Sequence, residues 1–122
     1  MNAKLYVCHA CKAGEVHEND ADRPGARLFA ALQDLPVPDG VEVVGVKCLS
    51  ACSQGAAVAL AAPGKWSYVY GRMGAEDASD ILTGAAAYAA SSDGLVPWRE
   101  RILQFRKQSL ARVPPMPLEA LT

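Results

Sequence analysis

At 122 residues, the chain has the length of one domain that buries a core without help from disulfides. Apolar residues make up 51% and the formal net charge is −1, which argues against disorder and gives no whole-chain electrostatic case for nucleic-acid binding. The first dozen residues include Lys4, His9 and Lys12 and lack an apolar core, and the longest apolar run, Ala56 to Pro63, is too short to span a bilayer, so a cytoplasmic protein with neither a nucleic-acid nor a membrane partner is expected.

Lys4-Leu5-Tyr6-Val7 alternates and runs directly into Cys8, which predicts a strand that delivers a cysteine to a loop. Residues 13–22 are polar and predict a loop. Asp22-Arg23-Pro24 then opens a helix with Pro near its first position. Leu28, Leu32 and Leu35 form its apolar stripe, widened by Phe29 and Ala31. Pro36-Val37-Pro38-Asp39-Gly40 stops it. A second strand, Val41 to Val46, leads like the first into a cysteine pair. Two neighbouring strands ending at one edge would bring the cysteines together there.

Residues 56–62 and 66–70 flank Pro63-Gly64-Lys65 and predict a hairpin. From Ala75 a second helix presents Ala78, Ile81, Leu82, Ala85 and Ala89 on one face, with Glu76 and Asp77 in its first turn. A third helix is expected from about Pro97 to Leu110, with Trp98, Ile102 and Phe105 as its stripe. Residues 97–113 carry a net +4 and leave −5 elsewhere. Val113-Pro114-Pro115-Met116-Pro117 predicts an extended tail. The order β-α-β-β-β-α plus an added helix predicts an α/β layer on a mixed sheet, with residues 1–96 as the main body and residues 97–122 part of the same domain.

The four cysteines form a Cys-x2-Cys, Cys8 to Cys11, and a Cys-x3-Cys, Cys48 to Cys52, separated by 36 residues. In a reducing compartment such pairs are metal ligands or redox thiols rather than structural disulfides. Three chemistries compete. Tetrahedral zinc takes four thiolates but favours two short knuckles. Dithiol–disulfide exchange needs only Cys8 and Cys11 and leaves the second pair idle. A [2Fe–2S] centre has two irons, each wanting two terminal thiolates, which two close pairs supply. Small and polar residues within and after the second pair (Ser50, Ser53, Gly55) leave room for backbone N–H groups to approach sulfur.

At Cys48, Cys52 and Gly55 the chain resembles the thioredoxin-like [2Fe–2S] ferredoxins, whose second strand is followed by a Cys-x3-Cys-x2-Gly-Pro loop; here Ala56 stands where Pro is usual. The first pair is more closely spaced than in that group. The resemblance covers roughly residues 3–90. It implies a thioredoxin-like mixed sheet with flanking helices, commonly in a dimer, with one cluster near the surface. The chain is also similar to a family of uncharacterised metal-binding proteins within that group, some associated with cobalamin biosynthesis. The expectation is an electron carrier rather than an enzyme, with Cys8, Cys11, Cys48 and Cys52 as ligands and a redox protein as partner. The alternatives are a zinc or other soft-metal module on the same cysteines, and a thiol oxidoreductase using Cys8 and Cys11.

Other candidates receive blander assignments. His9 and His17 could replace cysteine ligands, as histidines do in Rieske centres, but four cysteines already complete a site; His9 is expected beside the ligands, as a donor to them. Trp66, Tyr68 and Tyr70 alternate along one strand and are expected to fill a sheet face rather than stack on bases. Gly71-Arg72-Met73-Gly74 lacks the spacing and lysine of a phosphate cradle. Neither Ser50 nor Ser53 has an identifiable base partner. The basic third helix offers either a solvated face, a docking surface for an acidic partner, or a self-association face through Trp98 and Phe105.

Overall fold

The computed structural model describes residues 3–9, 23–47, 49 and 55–115. Strand β1 (Ala3–Cys8) is followed by helix α1 (Pro24–Gln33) and strand β2 (Val41–Val46). The hairpin comes next, as β3 (Val58–Ala61) and β4 (Ser67–Tyr70). A 3₁₀ turn over Ala75–Asp77 leads into α2 (Ala78–Ala90). The sheet order is β2-β1-β3-β4-β5, where β5 is Ser109–Val113. Among the described residues the β1–β2 pair is parallel and the β1–β3, β3–β4 and β4–β5 pairs are antiparallel. This is the mixed sheet with flanking helices of a thioredoxin-like α/β fold.

Alternation along the strands decides which face is covered. Ala3, Leu5 and Val7 are buried on one face of β1, opposite Val41, Val43 and Gly45 of β2. Across the hairpin Val58, Leu60, Tyr68 and Tyr70 continue that face. Leu28 and Leu32 of α1 and Ile81, Leu82, Ala85 and Tyr88 of α2 pack into the same core. Each large apolar side chain fully buried there contributes about 1.5–3 kcal/mol. The opposite face, with Lys4, Tyr6, Val44, Ala59 and Val69, is partly exposed.

The hairpin is tied to the end of α2. The Tyr88 hydroxyl donates to the Trp66 carbonyl at 2.8 Å. Lys65 Nζ donates to the carbonyls of Ala89 at 2.7 Å and Tyr88 at 3.2 Å. A lysine there adds a donor to carbonyls of the last turn, of which that of Tyr88 also accepts from Ser91, and complements the negative end of the helix dipole.

The expected third helix does not form as one element. Residues Trp98–Glu100 make a 3₁₀ turn, Arg101 and Ile102 are extended, and α3 covers only Leu103–Lys107. The chain then pairs with β4 as the edge strand β5. The apolar stripe splits accordingly: Phe105 is buried, whereas Trp98 is 58% exposed. Of the expected extended tail, Val113 ends β5, and Met116 and Pro117 lie outside the described residues.

Candidate metal centre at the end of the parallel strand pair

Parallel pairing places the ends of β1 and β2 side by side, with Cys8 opposite Val46. The backbone N–H of His9 donates to the Val46 carbonyl at 2.9 Å, and that of Cys8 to the Ala57 carbonyl at 3.1 Å. The cysteine is 2% exposed. Its Sγ donates to the carbonyl of Lys47 at 3.6 Å, a thiol set against the residue immediately before Cys48. The end of β1 is thus held between the run-in to the second cysteine pair and the Gly55–Ala57 segment that follows that pair.

Of the residues assigned to the site, Cys11, Cys48, Cys52, His17, Ser50 and Ser53 lie outside the described residues. Among the described residues no three His, Cys, Asp or Glu side chains converge on one point. The part of the donor set that is described fits a soft-metal centre: a thiol at a strand end, shielded from water, beside the entry to the second cysteine loop. His9 turns toward the helices. Its exposed ring lies 6.0 Å from that of Phe29 in α1, whereas Cys8 is packed into the hydrophobic core.

Gly55 and Ala56, joined by a cis peptide, border a cleft of about 330 Å³ lined also by Pro24, Arg27, Arg72 and Glu76. The Met73 N–H donates to the Ala56 carbonyl at 3.0 Å. Gln108 fixes the next turn of chain. Its Nε2 donates to the carbonyls of Gly71 at 2.8 Å and Arg72 at 2.9 Å, and its own carbonyl accepts the Gly71 N–H at 3.0 Å. Arg72 sits in the left-handed region at φ 56°, a conformation costly for a side chain with a Cβ and kept only where the surroundings impose it. Sequence reading missed this link from the C-terminal segment to the Gly55 loop, because a glutamine binding distant carbonyls leaves no local pattern.

The aromatic row is internal. Tyr68 and Tyr70 are buried, 5.7 Å apart and stacked, and Trp66 lies under the guanidinium of Arg112 at 4.8 Å. Burial, reinforced by the neighbouring Tyr68 hydroxyl and only partly offset by Arg101, pushes the Tyr70 hydroxyl well above the ordinary tyrosine range. These rings are core, not a platform for bases. Among the described residues no helix is long and apolar enough to cross a membrane.

The fold is that of a solved structure titled as a thioredoxin-like [2Fe–2S] ferredoxin from Aquifex aeolicus, with a TM-score of 0.57. The match covers 94% of this chain and 96% of that one at 17% sequence identity, so the likeness is one of fold. Residues 5–115 match the family described as "Protein of unknown function (DUF1636)", and the chain belongs to that family. No curated protein matches it.

Proposed function

We propose that this protein is a one-electron carrier holding a [2Fe–2S] cluster on Cys8, Cys11, Cys48 and Cys52. The observation that carries the reading is the Cys8 thiol, buried and set against the Lys47 carbonyl. The parallel strands bring Cys8 beside Lys47, the residue before the second cysteine pair in the sequence. Two close pairs in the sequence match the demand of two irons for two thiolates each. The ferredoxin named in the comparison, similar along nearly the whole chain, supports the same reading. Bound there, the cluster would supply a reversible one-electron couple. The chain's own contribution is to exclude water at Cys8, to fix the strand ends by the His9–Val46 and Cys8–Ala57 hydrogen bonds, and to hold the Gly55 loop through Met73.

The test is anaerobic purification followed by metal and sulfide analysis. About two irons and an equal amount of acid-labile sulfide per chain are expected, with a red-brown colour. Colourless protein with one tightly held zinc would replace the reading by a soft-metal module. Metal-free protein whose Cys8 and Cys11 cycle reversibly with a dithiol would replace it by thiol exchange.

A further inference from the structure

Trp98 and Leu103 are each 58% exposed, the two most exposed of the large apolar residues in the described part of the chain. The indole is framed by two guanidinium groups, Arg101 at 5.6 Å and Arg106 at 5.9 Å from the ring centroid. Both arginines are fastened to backbone. Arg101 Nε donates to the Val96 carbonyl at 2.7 Å, and Arg106 donates to the carbonyls of Trp98 at 2.9 Å and Arg99 at 2.8 Å. Leu103 stands one turn before Arg106 on the same side of α3. The result is a rigid apolar centre in a basic surround, with Arg99 and Lys107 exposed at its margin and Glu100 the one acid in the run from residue 97 to 107. Exposed tryptophan with ordered arginines is the composition of a binding hot spot, because little side-chain entropy remains to be lost.

The surface also leads to the metal-centre end of the molecule. Arg72 Nη2 donates to the Lys107 carbonyl at 3.3 Å, and Arg72 lines the cleft beside Gly55. Charge selects the occupant. A second copy meeting this face through a two-fold axis would set Arg99, Arg101, Arg106 and Lys107 against themselves. A nucleic-acid chain would find the indole already framed by guanidinium groups and would face a chain that is net negative. Carboxylates around an apolar recess meet neither obstacle.

We propose that Trp98, Leu103, Arg99, Arg106 and Lys107 form the docking surface for a protein partner that presents carboxylates around an apolar recess. That this partner is a redox protein rests on the metal-centre reading; the surface itself does not. The probe is a fluorescein-labelled peptide of alternating glutamate and leucine, titrated by anisotropy against the metal-loaded and the metal-free chain. Saturable binding that weakens with salt is the expected result. Arg99→Glu with Lys107→Glu should weaken it about tenfold or more, and Trp98→Ala should weaken it comparably without changing those charges. Lys4→Glu, an equal change of sign per residue on the far face, should leave it within about twofold. Circular dichroism confirms that each variant is folded. Absence of saturable binding overturns the proposal, as does indifference to Trp98→Ala or equal loss in Lys4→Glu. A single-stranded oligonucleotide binding more tightly than the peptide at the same salt, or a dimer that Trp98→Ala dissociates, would hand the surface to another occupant. A chain that purifies anaerobically without iron and still binds the peptide would sink the metal-centre reading alone; iron-loaded protein that does not bind it would sink the docking surface alone.

Discussion

The ring of Phe105 lies 3.9 Å from that of Tyr70, with 6° between their planes, and closes over Gly84 of α2. A Cβ on Gly84 would stand 2.5 Å from Phe105 Cε2 and 2.9 Å from Cδ2. This three-way contact is what fastens the short α3 to the sheet, and its glycine has a steric reason.

Gly84→Ala should therefore destabilise the protein, although helix propensity alone favours alanine by about 1 kcal/mol. Forcing a methyl into a filled contact costs about 1–3 kcal/mol. The net sign is read from chemical denaturation. A more stable Gly84→Ala variant would mean that Phe105 does not sit there in solution.

Stability should fall as pH rises above about 10. Burial, partly offset by a hydrogen bond from the Ala62 backbone, pushes the Tyr88 hydroxyl up to about 12, and Tyr70 is raised further in the same direction. In the unfolded chain both ionise near the ordinary value of about 10. Above that pH the unfolded state loses protons that the folded state retains. The stabilisation is thus fully present below about pH 10 and is lost as pH climbs through about 12. Tyr88→Phe should flatten that decline, while costing about 1 kcal/mol at neutral pH through the lost bond to Trp66. Denaturation midpoints against pH for the two proteins check it, and parallel curves would refute it.

Arg72→Gly should stabilise the fold by about 1 kcal/mol, since glycine adopts the left-handed conformation without a Cβ clash. Gln108→Ala should do the opposite, by about 1–2 kcal/mol, because it removes donors to the Gly71 and Arg72 carbonyls. If Gln108 holds Arg72 in place, the two effects are coupled in a double-mutant cycle. Simple additivity would separate them.

How legible this molecule was in its sequence depended on whether an element's partners lay nearby along the chain. The strand over Val41–Val46 and the apolar faces of α1 and α2 were plain, since periodicity records the face that is buried. The segment after Pro97 misled for a physical reason. Trp98, Ile102 and Phe105 have helical spacing, but the indole is framed by arginines at the surface, Ile102 borders the core and Phe105 is buried in it. Strand β5 carries no inward alternation because every one of its residues is exposed; only pairing with β4 defines it. At the site, the meeting of the β1 and β2 ends was legible because each strand ran straight into a cysteine pair. The Gln108 link was not, since it joins residues 36 and 37 positions apart.

Ligand assignment has its own test. Replacing Cys8 by alanine should abolish the visible spectrum of iron-loaded protein, because one iron loses a terminal thiolate. Cys11→Ala, Cys48→Ala and Cys52→Ala should do the same. His17→Ala and His9→Ala should keep the spectrum, since neither is assigned to iron. A spectrum lost in either histidine variant, or kept in any cysteine variant, would break the proposed ligand set.

The last prediction joins packing to the site. Gly45 lies opposite Val7, one position short of the Cys8–Val46 pair. A Cβ there would stand 2.9 Å from Phe29 Cζ and 3.0 Å from His9 Cδ2. Strand propensity disfavours glycine, so a bare strand would gain from Gly45→Ala. Here the methyl must displace a ring of α1 and the residue that follows Cys8, and a loss of about 1–2 kcal/mol is expected. Phe29→Leu shortens the obstructing side chain, so the Gly45→Ala/Phe29→Leu pair should be more stable than the sum of the single losses implies. Iron bound per folded chain should fall in Gly45→Ala and recover partly in the pair, because the displaced His9 adjoins Cys8. Additive stabilities would place Phe29 away from Gly45. Unchanged iron content in a destabilised Gly45→Ala would show that the end of β1 holds its position while α1 gives way.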